Sequence, residues 1–329
     1  MNQRWLDQYF SDRVNAHQFI FNRTVVGLQS ASYPEISVIH DRSRPMQSVS
    51  SQEVAMASSQ AKTAATSKTT NQPLERLIAD MHSVEIKVTV RPDQELRAER
   101  SMALNEDTAE IRVIHFYDTP QLHLFNAGVA LRTRLVKGDR DDSTVKIRPV
   151  EAANVTDEWR KLNGFKLEAD CVGDRVVCSA SLTVPQKQHE INEVAKGKRP
   201  IEKLFSKDQE RFLGQFYKGT VDFGALRVLG PIRVLRWKLT QKHFQHQLTL
   251  EEWRLPNGED LVEVSIKTPP KDAPQARKDF DKHLRELGLD PKGAQETKTR
   301  TALNYFVKAY RKEQSDLARR GEQHNASRS

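Results

Sequence analysis

One run of residues, Ser83-Val84-Glu85-Ile86-Lys87-Val88-Thr89-Val90, constrains the fold more than any other feature of the chain. Alternation sends the four aliphatic side chains to one face and Ser83, Glu85, Lys87 and Thr89 to the other, which is the period of a strand. The polar face carries both signs of charge. The same grammar returns in Val262-Glu263-Val264-Ser265-Ile266-Lys267. Between them, Arg132 and Arg134 alternate with Leu131, Thr133 and Leu135, and Lys146 and Arg148 with Val145 and Ile147. Lys166, Glu168 and Asp170 oppose Phe165, Leu167 and Ala169. Arg236 and Lys238 oppose Leu235, Trp237 and Leu239, and Thr249 and Glu251 oppose Leu248 and Leu250.

Antiparallel sheets often keep one wet face, and for a single strand such charges are solvated decoration. Repeated Arg-x-Arg and Lys-x-Arg couples on one strand after another fit that reading poorly. If the sheet closes, the polar face becomes an interior, where unpaired like charges are costly without a bound anion. The cations of that face are Lys87, Arg132, Arg134, Lys146, Arg148, Lys166, Arg236, Lys238 and Lys267. Its carboxylates are Glu85, Glu168, Asp170, Glu251 and Glu263. The surplus of four positive charges matches a bound triphosphate of about −4. Arginine suits forked phosphate contacts and lysine point-charge contacts. Carboxylates among them suit a hard divalent cation bridging protein and phosphate.

Strands are expected at 83–90, 110–117, 129–136, 143–149, 164–171, 231–239, 246–253 and 260–267. Helices are expected at 119–127, 199–217, 273–287 and 296–309. Asp118, Pro120 and Gly128 supply the start and stop signals of the first helix. The helix at 199–217 has one apolar stripe, which reads as a lid on the core. The sum is an α+β protein with a barrel-like, largely antiparallel sheet. The folded unit should run from 76 to 310, with a helical insertion at about 182–230 that covers a tunnel mouth or offers a partner surface. Residues 1–44 read as a weakly structured N-terminal segment. Residues 45–75, rich in Ser, Thr, Ala and Gln, read as a disordered linker, and 311–329 as a disordered tail.

The net charge of +8 over 329 residues favours anionic partners. Cys171 and Cys178 fit neither a redox pair nor a zinc site and read as free thiols in a reducing compartment. The N-terminus lacks the apolar run of a signal peptide, and no stretch reaches membrane-span length, so the expected location is cytoplasmic. GxxxxGK[ST], HExxH and GxSxG are absent.

The chain resembles the CYTH superfamily, the triphosphate tunnel metalloenzymes. The resemblance covers roughly 83–310. Its residues are Ser83-x-Glu85-x-Lys87, Phe116-Tyr117-Asp118-Thr119-Pro120 with Leu122 and Leu124, Gly128-Val129-Ala130-Leu131-Arg132-Thr133-Arg134, Thr144-Val145-Lys146 and Leu261-Val262-Glu263-Val264. It implies an eight-stranded, mainly antiparallel closed β-barrel with flanking helices. It implies metal ligands at Glu85, Glu251 and Glu263 for Mg2+ or Mn2+, with Glu168 assisting. Phosphate would be held by Lys87, Arg132, Arg134, Lys146, Arg148, Arg236, Lys238 and Lys298, and catalysis would use Glu85, Glu168 and Lys87.

Two departures concern metal binding. Ser83 and Ser265 stand where the family pattern has glutamate. The function expected first is a metal-dependent triphosphatase, an enzyme of the phosphoric-anhydride hydrolase type, acting on a triphosphate or polyphosphate small molecule. The alternatives are a catalytically weak or inactive triphosphate-binding domain and an adenylate cyclase of the CYTH class. A nucleic-acid partner is disfavoured, because carboxylates lie beside the cations on the same faces. Substrate identity and oligomeric state are open.

Overall fold

The strand pattern closes on itself. The computed structural model describes residues 74–294 and 296–326. The segments expected at 1–44 and 45–73 lie outside these described residues, and residues 74 and 75 open a short helix, Leu74–Ile78. Among the described residues, nine strands form one closed barrel in the order β1-β5-β6-β4-β3-β2-β7-β8-β9, with β9 pairing back to β1. They are β1 Ser83–Thr89, β2 Glu110–Asp118, β3 Val129–Val136, β4 Asp142–Ile147, β5 Phe165–Val172, β6 Arg175–Pro185, β7 Arg227–Leu239, β8 Leu248–Arg254 and β9 Asp260–Thr268. The barrel is mixed: β1 and β5 run parallel, and the remaining pairs antiparallel.

The expected eight strands are therefore nine. The missing one, β6, bridges β5 to β4 and, past the exposed Arg175 at its start, carries only small or aliphatic residues on its charged-side face: Val177, Ser179, Ser181 and Thr183. Residues up to Pro185 thus belong to the barrel wall and not to the insertion.

The helix of the insertion at Lys207–Phe216 packs on the outer wall of the barrel. Ser206 and Gln209 form a reciprocal capping box that starts a helix, Lys207–Phe216, and so breaks the expected 199–217 helix after a single turn at Ile201–Leu204. The Gln209 carboxamide is fully buried and bolts this helix to the wall. Its Nε2 donates to the carbonyls of Ser143 (3.1 Å) and Leu182 (3.0 Å), and its Oε1 accepts from Ser143 Oγ at 3.0 Å. Phe212 packs edge-on to Trp159 and Phe165 beneath it. The apolar stripe is thus core, as the sequence implies.

The expected helix at 119–127 shortens to His123–Asn126. Asp118 ends β2, and its carboxylate accepts the N–H groups of Thr119, Leu124 and Phe125 at 2.7–3.0 Å, which caps the turn from a distance. Gly128 follows at φ +83°, where a Cβ would lie 1.9 Å from the Arg148 carbonyl oxygen. Glu95–Ser101 and Asp157–Arg160 are helices without a sequence expectation, and Gln188–Ala195 is a further helix of the insertion.

Lys298–Ala326 forms one long helix, so the expected tail from 311 continues as helix to Ala326. Once the buried first turns fix the register, the Ala, Arg, Lys, Glu and Gln residues that follow propagate it cheaply. Ala302, Leu303, Phe306 and Val307 of this helix pack against Ile114, Phe116, Ile232, Val234, Trp253 and Leu261. These wall residues lie on the same face of their strands as the cations, so the helix closes one end of the bore.

Candidate functional site

Directly opposed residues of neighbouring strands share a face, so the register can be walked around the barrel. Arg132 lies opposite Thr144, two residues from Lys146, and Lys146 lies opposite Ser181 and so level with Lys166. Asp170 neighbours Glu85, which faces Lys267. Glu263 opposes Glu251, Glu251 opposes Arg236, and Arg236 opposes Glu110, two residues from Arg112. The circuit returns through Val136 to Arg134 and Arg132. Every candidate strand residue therefore lines one bore. The aliphatic faces, such as Val84, Leu131 and Val145, point outward into the buried layer under the helices.

Three residues of the bore escape the sequence reading: Glu110, Arg112 and Asp142. Strand β2 turns polar residues inward at Glu110 and Arg112 but apolar ones at Ile114 and Phe116, where the C-terminal helix enters. This change midway along one face hides the pattern. Arg112 and Lys298 add two cations, and Glu110 and Asp142 two carboxylates, so the surplus of four is unchanged.

Most of these charges pair within the chain. Lys87 Nζ lies 2.7 Å from Glu85 and 2.9 Å from Asp170, and Lys146 Nζ is 2.9 Å from the other Asp170 oxygen. Burial alone would raise the Asp170 pKa, but Lys87, Lys146 and Arg148 hold it well below the usual range. The Lys87 ammonium is opposed by burial yet held well above its ordinary value by Glu85, Asp170 and Glu263. Arg134 forks onto Asp142 with contacts of 2.6–3.0 Å. Arg236 reaches Glu110 at 3.2 Å and Glu251 at 3.5 Å. Lys298 Nζ sits 2.6 Å from Glu251 and 3.2 Å from Glu263, over the Trp253 ring. Glu168 accepts from Lys267 at 2.6 Å and from Ser83 Oγ at 3.2 Å. Lys166, Lys238 and Lys267 are exposed and mark the open mouth.

Arg132 differs from the rest. Its Nε is buried and has no hydrogen-bond partner among the described residues. Burial and the neighbouring Arg134 push its guanidinium down from 12.5 to about 9. Arg112, also lowered by burial and then by Arg134, completes a trio of crowded guanidiniums on β2 and β3. Such a trio calls for an anion with several oxygens.

The expected metal ligands are not gathered at one point. Glu251 and Glu263 face each other, but Glu85 lies opposite Lys267, four residues along β9 from Glu263. That is ~13 Å between their positions along the strand, and each carboxylate is taken by a lysine, Glu85 by Lys87 and Glu251 and Glu263 by Lys298. Among the described residues, no group of three or more His, Cys, Asp or Glu side chains could hold a metal ion. Ser83 spends its hydroxyl on Glu168, and Ser265 adds no charge. The donor set does not fit a resident Mg2+ or Mn2+.

No family model matches the chain, and no curated protein does. Solved structures are similar to it, three of them as follows. One, from Bacillus halodurans and provisionally assigned as an adenylate cyclase, is 14% identical over 67% of this chain and 96% of its own, with a TM-score of 0.47. A second, from Hippeastrum, provisionally assigned as an adenylyl cyclase and described as having a dominant triphosphatase activity, is 17% identical over 66% and 93%, with a TM-score of 0.45. A third, from Vibrio parahaemolyticus and assigned like the first, is 12% identical over 67% and 97%, with a TM-score of 0.36. The closed barrel with a charged bore is the architecture that the motif resemblance to the triphosphate tunnel metalloenzymes implies.

Proposed function

We propose that the bore binds the triphosphate end of a small anion. The observation that carries this reading is the unpartnered Arg132 Nε, buried beside Arg134 with Arg112 beyond it. Guanidiniums crowded in this way are stabilised together by one polyanion, and each planar fork matches two phosphate oxygens. Lys146 on β4 and Lys87 on β1 line the same bore, so an anion lying along it meets cations on more than one side. Lys166, Lys238 and Lys267 at the mouth draw it in, an effect that salt weakens.

Binding is favoured over turnover. Each carboxylate that would position a metal or water is tied to a lysine or arginine. The second reading, hydrolysis, rests on Glu168. Burial raises its pKa, but the Lys267 hydrogen bond and charge bring it below the usual range, so it stays ionised near the mouth. There it could orient a water toward a terminal phosphate, while the guanidiniums neutralise charge on the equatorial oxygens. A cytoplasmic setting fits the two free thiols, and no helix among the described residues is long and apolar enough to cross a membrane.

The test is calorimetric titration of the full chain with tripolyphosphate, pyrophosphate and orthophosphate, followed by phosphate-release and cyclic-nucleotide assays with ATP. We expect one site that prefers tripolyphosphate, with little or no product. Absence of tripolyphosphate binding at low salt would remove the proposal, and rapid phosphate release would promote the second reading.

A further inference from the structure

We infer that the Lys298 ammonium occupies the place of a divalent cation in this bore, so that the chain needs no metal to hold its anion. The inference rests on the triphosphate reading for its ligand, but its metal-binding part is independent of it. Glu251 and Glu263 stand directly opposite each other on β8 and β9 and turn their carboxylates to the same face. Two such carboxylates side by side repel each other unless a cation lies between them. The cation here is covalently part of the chain. Lys298 Nζ is 2.6 Å from Glu251 Oε2 and 3.2 Å from Glu263 Oε1, and its side chain is 5% exposed.

Its third side is covered by the Trp253 indole, with Nζ 4.6 Å from the ring centroid. Trp253 Nε1 in turn donates to Glu251 Oε2 at 3.3 Å. The ammonium thus has two carboxylates and an aromatic face, a complete shell for a monovalent cation. The C-terminal helix that delivers Lys298 is anchored by Ala302, Leu303 and Phe306 in the apolar end of the bore. The ammonium is therefore fixed by packing and does not arrive on a flexible arm. Ser265, the next inward residue of β9 after Glu263, adds no third carboxylate that would favour a divalent ion.

The test is Mn2+ uptake by the full chain without phosphate, followed by loss of the free-ion electron paramagnetic resonance signal. It compares the wild type with Lys298→Met and Lys298→Arg. We expect no stoichiometric uptake by the wild type, one new site in K298M at least about tenfold tighter than any wild-type binding, and none in K298R, which restores the charge. In parallel, tripolyphosphate is titrated into the wild type in the presence of a chelator, where binding should persist. Stoichiometric Mn2+ uptake by the wild type, uptake by K298R equal to that of K298M, or tripolyphosphate binding only when Mn2+ is supplied would overturn the inference. If K298M is poorly folded, the wild-type uptake and the chelator titration decide it alone. Failure of tripolyphosphate to bind under any condition, with the wild type taking up no Mn2+, would remove the triphosphate reading and leave the role of Lys298 standing.

Discussion

Replacing Arg132 with methionine should make the ligand-free protein more stable and the binding of tripolyphosphate weaker. The side chain is partly buried, its Nε lacks a partner, and Arg134 stands beside it. The fall of its pKa from 12.5 to about 9 corresponds to roughly 5 kcal/mol for carrying the charge there, at about 1.4 kcal/mol per pH unit. Solvent reaching the bore and side-chain relaxation reduce this, and apolar replacement of a poorly paired charge typically gains ~1–4 kcal/mol. A gain of ~1–3 kcal/mol should raise the melting temperature by about 3–10 °C for a domain of this size.

The sign with pH follows from the depressed pKa of a base. The penalty is present in full below about pH 9 and fades as the pH rises toward 12.5, so the advantage of the variant should shrink above pH 9. With tripolyphosphate at a hundred times its Kd, the wild type gains ~2.7 kcal/mol and the order reverses or closes. Loss of a charge-assisted hydrogen bond, ~1.5–3 kcal/mol, should weaken binding roughly 10–150-fold. The assay is thermal unfolding by circular dichroism with and without ligand, together with calorimetry. A variant less stable than wild type without ligand, or one that binds as tightly, would refute the reasoning.

Further predictions concern the walls and the pairs. His115, buried and pushed down by burial to about 4, cannot take a proton that the unfolded chain accepts below about 6.5. Stability should therefore fall as pH drops through that window, and His115→Gln should flatten the fall by up to roughly 3 kcal/mol in urea midpoints at pH 7 and 4.5. Gln209→Ala should cost ~2–4 kcal/mol by leaving the Ser143 and Leu182 carbonyls unpaired, with tripolyphosphate affinity unchanged; a parallel loss of affinity would link the insertion to the bore. Asp142→Asn should free the Arg134 fork for phosphate and tighten tripolyphosphate binding by about 3–10-fold in the same titration.

The parts of this fold that are legible in the sequence are those where alternation is chemically sharp. Val129–Val136 sets Arg132 and Arg134 against Leu131, Thr133 and Leu135, and its bounds and inward residues read directly. Strand β6 alternates as regularly, but its inward side past the exposed Arg175 is Val177, Ser179, Ser181 and Thr183. Small side chains there leave room for Asp170, whose carboxylate Ser179 Oγ meets at 3.1 Å, and they carry no charge to mark the face. On β2 the inward face changes from Arg112 to Phe116 because the bore itself changes, from charged chamber to helix-filled end.

The metal ligands show a different limit. Alternation tells that Glu85 and Glu263 face inward, and this is so. Their height along the bore depends on how β1 is staggered against β9, and that stagger comes from side chains all around the barrel. Lys298 is legible as a lysine of the last helix. Its position between two glutamates depends on the depth to which Leu303 and Phe306 seat that helix.

The most direct measurement is a crystal structure of the full chain grown with tripolyphosphate. The account places the phosphates inside the bore, with oxygens within hydrogen-bonding distance of Arg132 Nε and of the Arg112 and Arg134 guanidiniums. Phosphate density confined to the outer surface, with Arg132 turned away from it, would contradict the account.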